Sequence, residues 1–121
     1  MAKLLIAEDS VMLQRTYARM VRDVLPGVEI VTANNGREAA ELIQQDKEIT
    51  FVLSDICMPE MNGDDLHRAI APVLAKRGGV FVAMTGDCST EQAMYFERCA
   101  VTLLRKGEFG SNVLENCYKR S

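Results

Sequence analysis

Carboxylates stand at two separated points of this chain, each beside an apolar run. Glu8 and Asp9 follow Leu4-Leu5-Ile6-Ala7, and Asp55 closes Phe51-Val52-Leu53-Ser54. Thr85 closes a third run, Val80-Phe81-Val82-Ala83-Met84, and Lys106 comes shortly after a fourth, Leu103-Leu104. If the four runs are strands of one parallel sheet, their ends lie along one edge and these side chains share a pocket. Three acidic groups there suit a hard divalent cation such as Mg2+, which takes oxygen ligands in a near-octahedral shell and keeps several waters. Asp9 and Asp55 are short enough to ligate directly, while Glu8 could act through water. Asp55 is also a candidate nucleophile, since carboxylates can form acyl phosphates. Lys106 would then offset charge on the phosphoryl oxygens, and Thr85 would donate a hydrogen bond. Each residue has a plainer reading as well. Acids are common where a helix begins, Thr85 could be an ordinary strand-end threonine, and Lys106 a surface lysine. Placement of all of them at strand ends is what favours a site.

The elements that must position these groups alternate in type. Residues 3–8 read as a short buried strand, followed by a helix over 11–25 whose apolar positions Leu13, Tyr17, Met20, Val21 and Val24 fall three and four apart. Asp9 or Ser10 can cap it. A second strand over 28–33 leads through Asn34-Asn35-Gly36 into a helix over 36–45. The third strand, 49–55, is nearly continuous in apolar character, as a central parallel strand is. A loop containing Pro59 and Gly63 precedes a helix over 64–76, which Pro72 is expected to kink or end early. A strand over 80–84, a helix over 90–98 capped by Ser89 or Thr90, a strand over 101–105 and a helix over 111–119 complete the series. Strand–helix alternation repeated five times predicts an α/β fold, a doubly wound five-stranded parallel sheet in the order 2-1-3-4-5. Ligands of such sheets sit beyond the carboxyl ends of the strands where the order reverses, between strands one and three.

At 121 residues the chain is expected to form a single domain over 1–121. A net charge of -3 argues against direct nucleic-acid binding, which needs clustered Lys and Arg. No apolar run reaches transmembrane length, so no membrane insertion is expected. No basic and apolar leader precedes the first strand, so the cytoplasm is the expected location. Cys57, Cys88, Cys99 and Cys117 lack zinc-site spacing and read as free thiols. Glu8-Asp9-Ser10 stands where a dinucleotide site needs a glycine-rich turn, and no P-loop is present.

Taken together, these residues resemble the receiver domain of bacterial two-component response regulators over Lys3 to about Tyr118. The most specific segment is Ser54-Asp55-Ile56-Cys57-Met58-Pro59-Glu60-Met61-Asn62-Gly63, joined by Glu8-Asp9-Ser10, Asn35-Gly36-Arg37-Glu38-Ala39, Thr85-Gly86 and Lys106. The resemblance implies a CheY-like, flavodoxin-like three-layer sandwich. It implies phosphorylation of Asp55 from a sensor histidine kinase or histidine phosphotransfer protein, and signalling to a downstream protein target. Mg2+ would be held by Asp9 and Asp55, by the backbone carbonyl of Cys57, and by Glu8 through water. Thr85 and Lys106 would contact the phosphoryl group. The resemblance implies catalysis limited to the domain's own phosphorylation and dephosphorylation, and so no enzyme in the usual sense. The chain departs from the family at Leu103, where an aromatic residue is usual, and at Gly107, where a proline is usual. Met94, Tyr95, Phe96 and Tyr118 lie in or near the expected partner face, although most of them could pack on the sheet. Two other functions compete: a pseudo-receiver that binds partners without phosphorylation, and a Mg2+-dependent phosphatase or phosphotransferase. Against the latter, Cys57 occupies the place of the second aspartate such enzymes use.

Overall fold

Strands covered on both faces must be apolar on both sets of alternating side chains, and the inner strands of this chain are. The computed structural model describes residues 3–86 and 88–105. Its elements are β1 (Lys3–Ala7), α1 (Val11–Val24), β2 (Glu29–Ala33), α2 (Gly36–Gln45), β3 (Ile49–Asp55), α3 (Gly63–Lys76), β4 (Val80–Thr85), α4 (Thr90–Arg98) and β5 (Thr102–Arg105). The strands form one parallel sheet in the order β2-β1-β3-β4-β5. Leu5, Ala7, Val52, Phe81 and Ala83 point to one face, where Ala39, Ile43, Leu66, Ile70, Leu74 and Phe96 of the helices cover them. Leu4, Ile6, Phe51, Leu53, Val82, Met84 and Leu104 point to the other, against Tyr17, Ala18 and Val21 of α1. Full burial of a Leu, Ile or Phe side chain is worth about 1.5–3 kcal/mol, so these two clusters carry the sheet. Among the described residues, no helix is long and apolar enough to cross a membrane.

The expected helix over 111–119, with Cys117 and Tyr118, lies outside the described residues, as do Lys106 and Gly107. Cys57, Cys88 and Cys99 are free thiols. Of the two effects expected at Pro72, an early end does not occur, and α3 runs on to Lys76 as its expected range has it. Proline removes the bond to the carbonyl four residues back, at Arg68, and both Pro72 and Arg68 are exposed, so water can take that carbonyl. Ile70 and Leu74, buried on the opposite stripe, hold the helix to the sheet across the gap.

The edge of the sheet away from the acidic residues is tied by two cations. Lys3 Nζ lies 2.7 Å from Asp46 and 3.0 Å from Glu29. Hydrogen bonds to these carboxylates raise the Lys3 pKa, and the bond from Lys3 lowers that of Asp46. The Arg77 guanidinium donates to the carbonyls of Ile43, Asp46 and Ile49 at 2.7, 3.1 and 3.0 Å, closing the end of α2 onto the start of β3. Helix α4 docks on α3 through a ring cluster. His67 meets Phe81, Tyr95 and Phe96 edge-on, its Nδ1 is hydrogen-bonded to the Tyr95 hydroxyl at 2.6 Å, and Arg68 lies over the Tyr95 ring. Burial pushes the Tyr95 hydroxyl up to about 12, with its hydrogen bond to Cys99 adding to the shift.

Two predictions follow from these contacts. Burial first, and the Arg68 charge second, hold the His67 pKa below its usual 6.5. The unfolded chain therefore takes up the proton first, and the His67 contribution to stability is complete above about pH 6.5 and is lost as pH falls toward the folded pKa. Urea midpoints measured from pH 7.5 to 5 will fall more steeply for the native chain than for His67→Gln; parallel curves would contradict this. At the end of α4, Ala100 adopts φ 56. Its N–H donates to Glu97 O at 3.1 Å and that of Val101 to Phe96 O at 2.9 Å, the Schellman pattern that favours glycine. Ala100→Gly will raise the unfolding free energy by about 1 kcal/mol, since a non-glycine residue there carries steric strain. Unchanged or lower stability in urea would refute that assignment of strain.

Candidate functional site

Beyond Ala7 the chain continues one step along β2, with the Glu8 N–H donating to Ala33 O at 3.1 Å. Glu8 turns inward and is 1% exposed. Its Oε2 accepts from the Ser10 N–H at 3.1 Å. Ser10 is the residue that caps α1, its Oγ accepting from the Leu13 N–H at 3.3 Å. The two acids are thus free of the capping role that would have explained them. Asp9, between them, is exposed.

Asp55 is the last residue of β3 and is 5% exposed. The Ile56 N–H is shared between Asp55 Oδ1 at 2.8 Å and Met84 O at 3.0 Å, which locks the strand exit against β4. The loop then folds back. Glu60 takes φ 68, Asn62 Oδ1 accepts from the Met58 N–H at 3.3 Å, and the Gly63 N–H donates to Ile56 O at 2.6 Å. A Cβ at Gly63 would collide with the Asp55 carbonyl and come within 2.9 Å of Ile56 Cα. Only glycine lets the start of α3 lie directly under Asp55.

Carboxylate oxygens of Glu8, Asp9 and Asp55 all lie within 4.8 Å of one another. Among the described residues this is the one group of three or more acidic, His or Cys side chains that could hold a metal ion. An oxygen-only donor set with one exposed member leaves room for waters, which fits Mg2+. The Cys57 thiol is outside the cluster and exposed. In the register of β3 and β4, Asp55 pairs with Met84, which places Thr85 one residue beyond it on the next strand. Thr85 is 5% exposed, and its Oγ1 has no hydrogen-bond partner among the described residues. Arg105 pairs with Thr85 across β4 and β5 and is exposed, while Lys106 lies outside the described residues.

A family model, the response regulator receiver domain, matches residues 4–114. The chain belongs to that family. Membership sets it among receiver domains rather than classical enzymes. The fold agrees: chemotaxis protein CheY4 of Vibrio cholerae is 25% identical, with a TM-score of 0.76 over 99% of this chain and 98% of that one. A response regulator receiver domain of Clostridium thermocellum is 21% identical, with a TM-score of 0.83 over 98% of this chain and 92% of that one. Among curated proteins, the two-component response regulator ORR3 of Oryza sativa subsp. indica is 29% identical over 66 residues, 54% of this chain and 49% of that protein. The transcriptional regulatory protein CpxR homolog of Haemophilus influenzae is 33% identical over 73 residues, 60% of this chain and 30% of that protein. The matched segments thus span about half or less of these curated relatives.

One residue near the site escapes a reading by apolar periodicity. Gln14 is 7% exposed on the inner stripe of α1, with Tyr17, Ala18 and Val21. Its amide donates to Glu8 O at 2.6 Å and Asn34 Oδ1 at 2.8 Å, with Ala33 O at 3.4 Å. The signal for it is a polar residue spaced three, four and seven before buried positions. Gly63→Ala will lower stability by about 1–3 kcal/mol, the usual cost of overpacking. Wild-type urea stability in that variant would show that the loop under Asp55 has slack.

Proposed function

We propose that residues 1–121 act as one receiver domain that accepts a phosphoryl group on Asp55 and signals in the phosphorylated form by binding another protein. The observation that carries this reading is the buried Asp55 carboxylate at the end of β3, within 4.8 Å of the carboxylates of Glu8 and Asp9. The donor is a phosphohistidine of a sensor kinase or phosphotransfer protein. An Asp55 carboxylate oxygen forms the new O–P bond as the N–P bond breaks. The bonding pair leaves on the imidazole nitrogen, which is protonated. Asp9, Asp55 and the Cys57 backbone carbonyl would hold Mg2+, with Glu8 acting through water. When bound, the ion offsets negative charge on the phosphoryl oxygens. The Thr85 hydroxyl donates to one of those oxygens, and the Lys106 ammonium pairs with another. That Thr85 Oγ1 has no hydrogen-bond partner among the described residues supports its share of this role.

The signal passes to the face made by α4 and β5. Phosphorylation adds charge and acceptor oxygens at Asp55 and shifts a pre-existing equilibrium of that face. Leu103, partly buried against the core, repacks where an aromatic residue would rotate. Met94, half exposed on α4, is available to a partner, whereas Phe96 is fully buried in the core. Incubating the folded chain with acetyl phosphate and Mg2+ and measuring intact mass is the test. A labile phosphoryl increment is expected, and Asp55→Asn will not acquire it. A folded, Mg2+-binding chain that gains no increment would instead be a partner-binding module without phosphorylation.

A further inference from the structure

We propose that Gln14 is a positioning residue for the acidic cluster, its side-chain amide fixing the peptide that joins Glu8 to Asp9. The inference rests on the reading of that cluster as a Mg2+ site. Three oxygens surround Gln14 Nε2, and two of them, Glu8 O and Ala33 O, are backbone carbonyls that can only accept. The atom between them is therefore the amide nitrogen and not the oxygen. Its two protons go to the nearest acceptors, Glu8 O at 2.6 Å and Asn34 Oδ1 at 2.8 Å. Ala33 O, at 3.4 Å, already accepts from the Glu8 N–H. The main chain of Glu8 is thus held on both sides, by β2 at its N–H and by α1 at its carbonyl.

The consequence falls on Asp9. The carbonyl of Glu8 and the N–H of Asp9 belong to one planar peptide, so anchoring the carbonyl sets the direction in which Asp9 leaves the backbone. Asp9 is exposed, and a carboxyl oxygen of it lies within 4.8 Å of oxygens of two other acidic side chains. Repulsion among them favours swinging the loop outward. Gln14 opposes that swing from inside the core, and so preorganises the cluster before an ion arrives. It touches neither the ion nor the phosphoryl group, and acts through the main chain.

Mg2+ titration by calorimetry tests this, using native chain, Gln14→Met and Asn34→Ala. Methionine matches glutamine in length but cannot donate. Gln14→Met is expected to bind Mg2+ about tenfold more weakly, the lower end of what loss of a supporting contact costs a metal site. Asn34→Ala leaves the amide bonded to Glu8 O, and its affinity is expected to stay within about twofold of native. Native-like affinity in Gln14→Met, even with a lower melting temperature, would reduce Gln14 to a structural residue and overturn the proposal. Equal losses in both variants would overturn the assignment to the Glu8 carbonyl. If the native chain itself binds no Mg2+, the metal reading fails first, which is a separate result. Should Gln14→Met not fold, the native Gln14 side-chain NH2 signals decide: they are expected to shift as Mg2+ is added, and signals that stay fixed while the site fills would overturn the proposal.

Discussion

Three carboxyl groups with oxygens held within 4.8 Å of one another are the constraint around which this structure is arranged. Left to themselves, carboxylates at that separation move apart. Here two are buried and none sits on a long free loop. Glu8 follows β1 by one residue and stays hydrogen-bonded to β2, and Asp55 is still part of β3. The central position of β1 and β3 matters, because a strand with a neighbour on each side cannot slide or peel to relieve repulsion at its tip. The order β2-β1-β3-β4-β5 gives both strands that support. The acids also stand at the point where the strand order reverses. There α1 and α3 depart to opposite faces and leave an opening that no side chain has to fill.

Rigidity at the strand tips needs rigidity in the loops, and backbone crowding supplies it. Gly63 packs under the Asp55 carbonyl, and Gly36 packs against Met61 so closely that a Cβ there would collide with the Met61 carbonyl. The loop after Asp55 is therefore gripped from α2 as well as from its own far end. Its αL residue, Glu60, stands between these two contacts and sets the reversal of direction. A ligand that pulled on Asp55 would meet this packed loop before it could move α3.

Much of this was legible in the residue order because it rests on local patterns. Apolar runs four to seven long can only be buried strands in a chain that also carries helical periodicity, and their ends name the acidic positions directly. Expected and observed element ends never differ by more than one residue among the described elements, as at Lys3–Ala7 and Gly63–Lys76. What was not legible depends on side chains meeting across the fold. Pro72 reads locally as a break, yet the buried stripe of Ile70 and Leu74 carries α3 past it. Gln14 reads as a surface residue because polarity on a helix usually means solvent, and only the carbonyls converging on it show otherwise. Arg77 is likewise an unremarked charge in sequence, and in space it joins three carbonyls from two elements. Tertiary hydrogen bonds to the backbone leave no period to read.

Thr85 shows how energetics separates the core from the chemistry. A valine has the same shape, suits a central strand equally well, and brings no polar atom into the interior. A buried hydroxyl left without a partner costs about 1–3 kcal/mol. Nothing among the described residues bonds Thr85 Oγ1, although Ser54, itself fully buried, donates its hydroxyl proton to the Asp55 carbonyl at 2.8 Å. The two hydroxyls lie on adjacent strands, and among the described residues only that of Ser54 has a partner. An oxygen-rich group attached at Asp55 would give Thr85 an acceptor that the described residues do not, which supports its place in the proposed phosphoryl site.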